Sequence, residues 1–156
     1  MPIIVDTEQA SAKSRIAAIR LALVTLRCME NWRRSVGDYD SAMILIAVIA
    51  ITAEKLTRED LEQELQTLDR AFPPDRLTRC NISSIAAGTG LNRETTRRKV
   101  NELVAAGFLN RRRDGGVEFA PGLMQEPSTL ELVRKQLDGL ARGANELIRD
   151  GVLRLR

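Results

Sequence analysis

The sequence predicts a mostly α-helical fold carrying one small β-hairpin. Aromatic residues make up only 3% of the chain, while Ala, Leu, Ile, Arg and Glu dominate, a composition that favours helices over a large sheet. Apolar residues recur every three or four positions near both ends of the chain, the period of a helix buried on one face. The segments flanking Asp114-Gly115-Gly116 read as two short strands closing on a turn. At 156 residues and 44% hydrophobic content, the chain suffices for one well-buried domain with peripheral helices rather than for two full domains.

A first helix is expected from Thr7 or Glu8 to Arg34, within an N-terminal region of residues 1–38. Ala12, Ile16, Ile19, Leu23 and Leu26 share one of its faces, and Leu21, Val24 and Cys28 widen the stripe. Gly37 and Asp38 break this helix, and Asp40 is placed to cap the next. That second helix contains the strongest apolar run, Ala42 to Ala53, and ends near Leu56. The run is 12 residues long where a membrane span needs roughly 20, so it reads as a buried core helix in a soluble, cytoplasmic protein. Thr57 to Arg70 is expected to form a third, more polar helix, opened by a Thr57-x-x-Asp60 capping box, with Leu61, Leu65 and Leu68 on one face. Phe72-Pro73-Pro74-Asp75 ends it.

Further along, Asn81 can cap a short helix with Ile85 and Ala86 facing inward, which Gly88, Thr89 and Gly90 terminate. Leu91 is buried at the turn and Asn92 caps a second short helix whose inner face holds Thr96, Val100, Leu103 and Val104. Two short helices joined by a glycine-containing turn make a helix-turn-helix. Gly107 ends the second of them, Phe108 and Leu109 return to the core, and Leu109–Arg113 and Val117–Ala120 form the hairpin. The last helix, in a C-terminal region of residues 123–156, starts with a Ser128-to-Glu131 capping box after Pro127. Leu130, Val133, Leu137, Leu140, Ala144 and Leu147 then form an a/d seam. Gly139 and Gly143 of the same helix form a G-x-x-x-G, which in a charged helix is expected mainly to cost stability, about 1 kcal/mol per glycine.

Charge is unevenly spread. Between Asn92 and Arg113 lie seven basic residues and two acidic ones, a local +5; the rest holds seventeen basic against nineteen acidic, a balance of −2. Positive charge concentrated on an otherwise slightly acidic body points to a polyanion-binding surface. With no histidine, Ser-His-Asp and Cys-His catalysis and all His-containing metal sites are excluded. Cys28 and Cys80 stand alone, which rules out a thiolate zinc site and argues against a disulfide framework. No nucleophile is paired with a base and no phosphate loop is present, so the chain is expected to be no enzyme and to need no cofactor.

Taking Thr96 as the centre of the inner face, Glu94, Thr95, Arg97, Arg98, Asn101 and Glu102 point outward or to the flanks, and Arg93 lies in the first turn. Arginine is the side chain best shaped for the O6/N7 edge of guanine and for phosphate oxygens. The pattern IxxIAxxTGLxRxTxRRxVxxLxxxGFL, followed by a basic hairpin, resembles the winged helix-turn-helix of bacterial transcription regulators of the MarR-like and GntR-like type. The resemblance covers roughly residues 81–122, and it extends less closely to the helix from Asp40 to Leu56. It implies a winged helix-turn-helix domain over residues 39–122, interrupted by a helical insertion at 57–79 that such domains usually lack. It further implies DNA contacts by Asn92, Arg93, Thr95, Arg97 and Arg98 of the recognition helix and by Arg111, Arg112 and Arg113 of the wing, and the concentration of basic charge adds Lys99 to these candidates.

Helices on both sides of this domain match the MarR-like plan, in which N- and C-terminal dimerisation helices flank the winged domain, and both carry apolar seams suited to a homodimer. The expectation is a homodimeric, sequence-specific regulator that reads a pseudo-palindrome in double-stranded DNA. The alternative is a winged-helix scaffolding module that binds protein and does not read DNA; it calls for an apolar or acidic outward face on the second short helix, the opposite of this sequence. Trp32 and Tyr39 fit helix-end packing better than a pocket for a small-molecule effector, whose existence and identity the sequence leaves open.

Overall fold

The computed structural model describes residues 1–156. In chain order the elements are β1 (Ile3–Val5), α1 (Thr7–Ala12), α2 (Ser14–Val36), α3 (Tyr39–Ala53), α4 (Ile82–Thr89), α5 (Arg93–Ala105), β2 (Leu109–Arg111), β3 (Val117–Phe119), α6 (Pro127–Arg149) and β4 (Leu153–Leu155). The fold is mostly helical, with two small antiparallel sheets. No single helix is long and apolar enough to cross a membrane. Two compact units are present, one of residues 1–35 with 131–156, the other of residues 36–130.

In the first unit β1 pairs with β4, Ile3 opposite Leu155 and Val5 opposite Leu153. Asp6 caps α1, accepting from the Gln9 N–H at 3.0 Å, and the expected single N-terminal helix is broken into α1 and α2 at Lys13. Helices α2 and α6 run antiparallel: Arg20 pairs with Glu146 (3.2 Å) and Asp150 (2.9 Å), Val24 meets Gly143, and Gln136 Nε2 donates to the Cys28 carbonyl at 2.9 Å. Gly143 is what allows this approach. A Cβ there would overlap the Val24 Cγ2 methyl and stand 3.3 Å from its Cβ, so the expectation that this glycine mainly costs stability is corrected.

The apolar seams are helical as expected, but only part of each faces the partner helix: Val24 and Cys28 of the widened α2 stripe meet α6 and Leu147 of the α6 seam is buried, while the rest turns away. Around α2, Ile16, Ile19, Leu23 and Leu26 lie about 80–160° from Val24, and around α6, Val133, Leu137 and Leu140 lie about 60–120° from Gly143. All seven are exposed, Leu26, Leu137 and Leu140 to nearly 60%. No residue of α2 is buried.

The second unit has the core. Ile44 and Val48 of α3, Ile85 of α4, Val100 of α5, and Leu109 and Val117 of the β2–β3 hairpin are wholly buried. Helix α3 packs on α4, α5 and β3, which is why its apolar run is continuous rather than one-sided. Asp38, rather than Asp40, caps it, accepting from the Ser41 N–H at 2.8 Å. Thr96, buried at the centre of α5, satisfies its hydroxyl by donating to the Asn92 carbonyl at 2.9 Å.

The helix expected from Thr57 to Arg70 does not form. The segment is instead a run of bends and single 3-10 turns at Glu54–Arg58 and Gln63–Gln66. Thr57 donates its hydroxyl back to the Glu54 carbonyl (2.8 Å) instead of capping a following turn. Glu59 and Glu62 are drawn to Arg76, each at 3.1 Å, and the Arg76 guanidinium lies 5.2 Å over the Phe72 ring. Leu61, Leu65 and Leu68 are only half-buried, and a short helix without a packed face is marginal in water. The last helix also starts differently, at Pro127, with Ser128 inside its first turn and Glu131 paired to Lys135 at 3.0 Å rather than closing a capping box.

Candidate functional site

Helix α4 opens with a complete capping box: Asn81 Oδ1 accepts from the Ser84 N–H, and Ser84 Oγ accepts from the Asn81 N–H, both at 2.9 Å. It ends at Gly90, whose φ of 74° is left-handed and turns the chain without strain. Asn92 then caps α5, its Oδ1 accepting from the Thr95 N–H at 2.7 Å. The expected pair of short helices is therefore present, with both predicted caps in use. The hairpin that follows turns at Gly115, where φ is 83°, and Asp114 Oδ1 accepts from the Gly116 N–H at 2.9 Å. It is pinned to the start of α4 by the Val117 N–H donating to the Cys80 carbonyl at 2.8 Å.

These anchors frame a cleft of about 590 Å³ between the first turns of α4 and α5 and the hairpin, lined by Arg93, Arg97 and Arg111 with Ile82, Ser83 and Glu94. Arg111 reaches across from β2, donating from Nη2 to Asn101 Oδ1 of α5 at 2.9 Å. The structure thus brings guanidinium groups of the helix and of the hairpin to one concavity.

The nine predicted contact residues fare differently. Arg93 and Arg113 are exposed and have no carboxylate partner. Arg97 is gripped by both oxygens of Glu94, with Nε at 3.1 Å from Oε2, and this hydrogen bonding holds the Glu94 carboxyl below its ordinary range. Arg98 bonds Glu102 at 3.0 Å, and Arg112 lies 3.4 Å from Glu118 and 3.7 Å from Asp114. Thr95 is half-buried, and Asn92 commits its oxygen to the cap. Lys99 departs most from expectation. Its side chain is only 15% exposed and its ammonium turns back to Asp38 (3.2 Å) and Glu102 (3.3 Å), tying α5 to the start of α3.

Asp38 is shaped by the same tie. Burial pulls its carboxyl upward, but hydrogen bonds from the Ser41 N–H and hydroxyl, together with Lys99, outweigh burial and leave it below the ordinary carboxylate range.

One basic residue of this surface escaped the sequence reading. Arg79 is exposed and pairs with Asp114 of the hairpin turn at 3.0 Å. Its position two residues before the Asn81 cap was the available signal, masked because residues 57–79 read as an insertion. Cys80, beside it, is buried, and desolvation pushes its thiol upward, so at neutral pH it is an inert core group.

Chemically, the surface offers cations of three kinds: Arg93 and Arg113, which stand free; Arg111, which bonds the neutral Asn101 amide; and Arg79, Arg97, Arg98 and Arg112, which rest on exposed carboxylates. No family model, curated protein or solved structure matches the chain.

Proposed function

We propose that this chain is a winged helix-turn-helix transcriptional regulator, a homodimer that binds double-stranded DNA sequence-specifically. Helix α5 enters the major groove, the β2–β3 hairpin lies as a wing along the adjacent backbone, and two protomers read half-sites about one helical turn apart. The observation that carries this reading is the shared cleft. Arg93, Arg97 and Arg111, from two elements separated in sequence, line one concavity, and the Arg111–Asn101 bond joins wing to helix. The carboxylates on Arg97, Arg98 and Arg112 do not block it, because ion pairs this exposed contribute little to stability and leave the guanidinium groups free to turn toward the duplex. Lys99 acts as a structural tie rather than a DNA contact. Support for a dimer comes from the exposed seams of α2 and α6, apolar surface of the kind a partner covers.

The test is binding of a duplex selected from a random library against a scrambled duplex, each titrated with salt. The reading expects a steep salt dependence for both and a preference for the selected sequence. Equal affinity for the two defeats sequence-specific regulation, and no binding at low salt defeats DNA binding altogether.

A further inference from the structure

The carboxylates among the arginines of α5 have a consequence of their own. Glu94 and Glu102 are 74% and 50% exposed, so neither is held in place by the core. Glu94 grips Arg97 with two oxygens, and Glu102 shares its oxygens between Arg98 and Lys99. Both acids sit one turn from their partners on the same helix, and they travel with those partners wherever the helix docks. Arg93 and Arg113 have no such companion. A phosphate approaching Arg97 or Arg98 meets a like charge within a few ångströms, whereas the edge of a guanine, which offers two acceptors and no charge, does not.

We propose that Glu94 and Glu102 are specificity determinants: they repel phosphate from Arg97 and Arg98 and thereby reserve these two guanidinium groups for base edges. Non-specific anchoring falls to Arg93, which stands unguarded, and to the wing arginines Arg111, Arg112 and Arg113. The proposal rests on the DNA-binding reading above and adds to it a division of labour among the arginines.

The experiment uses the full-length protein with Glu94→Gln, Glu102→Gln and the double substitution. Affinity is measured for the selected and the scrambled duplex between about 50 and 300 mM salt. Each single change should tighten scrambled-duplex binding about three- to tenfold and steepen its salt slope by about one. The selected duplex should gain less, so the ratio of the two affinities falls at least threefold. In an Arg97→Gln background, Glu94→Gln should lose its effect, which separates guarding from any influence on helix stability. Equal gains on both duplexes, no gain on the scrambled one, or an undiminished effect in the Arg97→Gln background overturns the proposal while leaving DNA binding intact. Absence of binding by the wild type and every variant at low salt overturns the DNA reading, and this proposal with it.

Discussion

Arg111 of β2 and Asn101 of α5 are joined by a hydrogen bond of 2.9 Å from guanidinium to amide oxygen, ten residues apart in sequence and on different elements. The bond links hairpin to helix at the cleft, beside the Val117–Cys80 backbone bond that also holds the hairpin. Replacing Asn101 with Ala should leave duplex binding detectable but loosen the hairpin, seen as faster amide exchange at Arg112 and Val117. Replacing Arg111 with Ala should also remove a cation from the cleft and lower the salt slope of duplex binding by about one.

Arg98 and Arg112 should separate base reading from phosphate contact. Arg98→Ala is expected to lose roughly 1 to 3 kcal/mol on the selected duplex and to relax preference at one position. Arg112→Ala should weaken selected and scrambled duplexes by similar factors. Affinities on a panel of single-base variants check both; a uniform loss for Arg98→Ala would place it on the backbone.

Gly143 and Gly139 should respond in opposite directions to the same substitution. Gly143→Ala forces a Cβ into Val24 and should destabilise by about 1 to 3 kcal/mol. At Gly139 the nearest atom to a new Cβ is Cys28 Sγ at 3.9 Å, an ordinary contact, so Ala should stabilise α6 by up to about 1 kcal/mol. Urea unfolding of the two variants makes the comparison.

Asp38 supplies an acid-sensitive contribution to folding. Its carboxyl lies below the ordinary value in the folded chain, so the stability it adds is present at neutral pH and is lost as pH falls through the folded-state value. Asparagine caps a helix as well as aspartate does, which lets Asp38→Asn remove the charge and keep the cap. The variant should be less stable than wild type near pH 7, with the difference shrinking between about pH 5 and pH 2 in denaturation midpoints.

The exposed seams make the oligomeric prediction. Leu137→Glu with Leu140→Glu, or Ile19→Glu with Leu23→Glu, should turn a dimer into a monomer in sedimentation velocity while helix content is retained, since none of the four side chains is buried within the chain. The monomer should bind a full pseudo-palindrome no better than a half-site. A wild type that sediments as a monomer removes the dimer from the proposal.

Local chemistry made much of this protein legible in advance. Asn81 and Asn92 cap, Gly90 and Gly107 stop, and Asp114-Gly115-Gly116 turns, because a cap or a left-handed glycine acts within four residues and needs no distant partner. The inner face of α5, from Thr96 to Leu103, follows from the helical period alone. Contacts between remote residues decided the rest. Thr57 to Arg70 had a helical pattern, but its leucines are only half-buried and Arg76 recruited its glutamates. Gly143 looked like a flaw until Val24 arrived from 119 positions away, and Lys99, placed by its position among the basic residues of α5, turns its ammonium to Asp38 in the folded chain. A sequence states what each residue can do with its neighbours along the chain; which of two available partners it takes depends on distances that only the folded backbone sets.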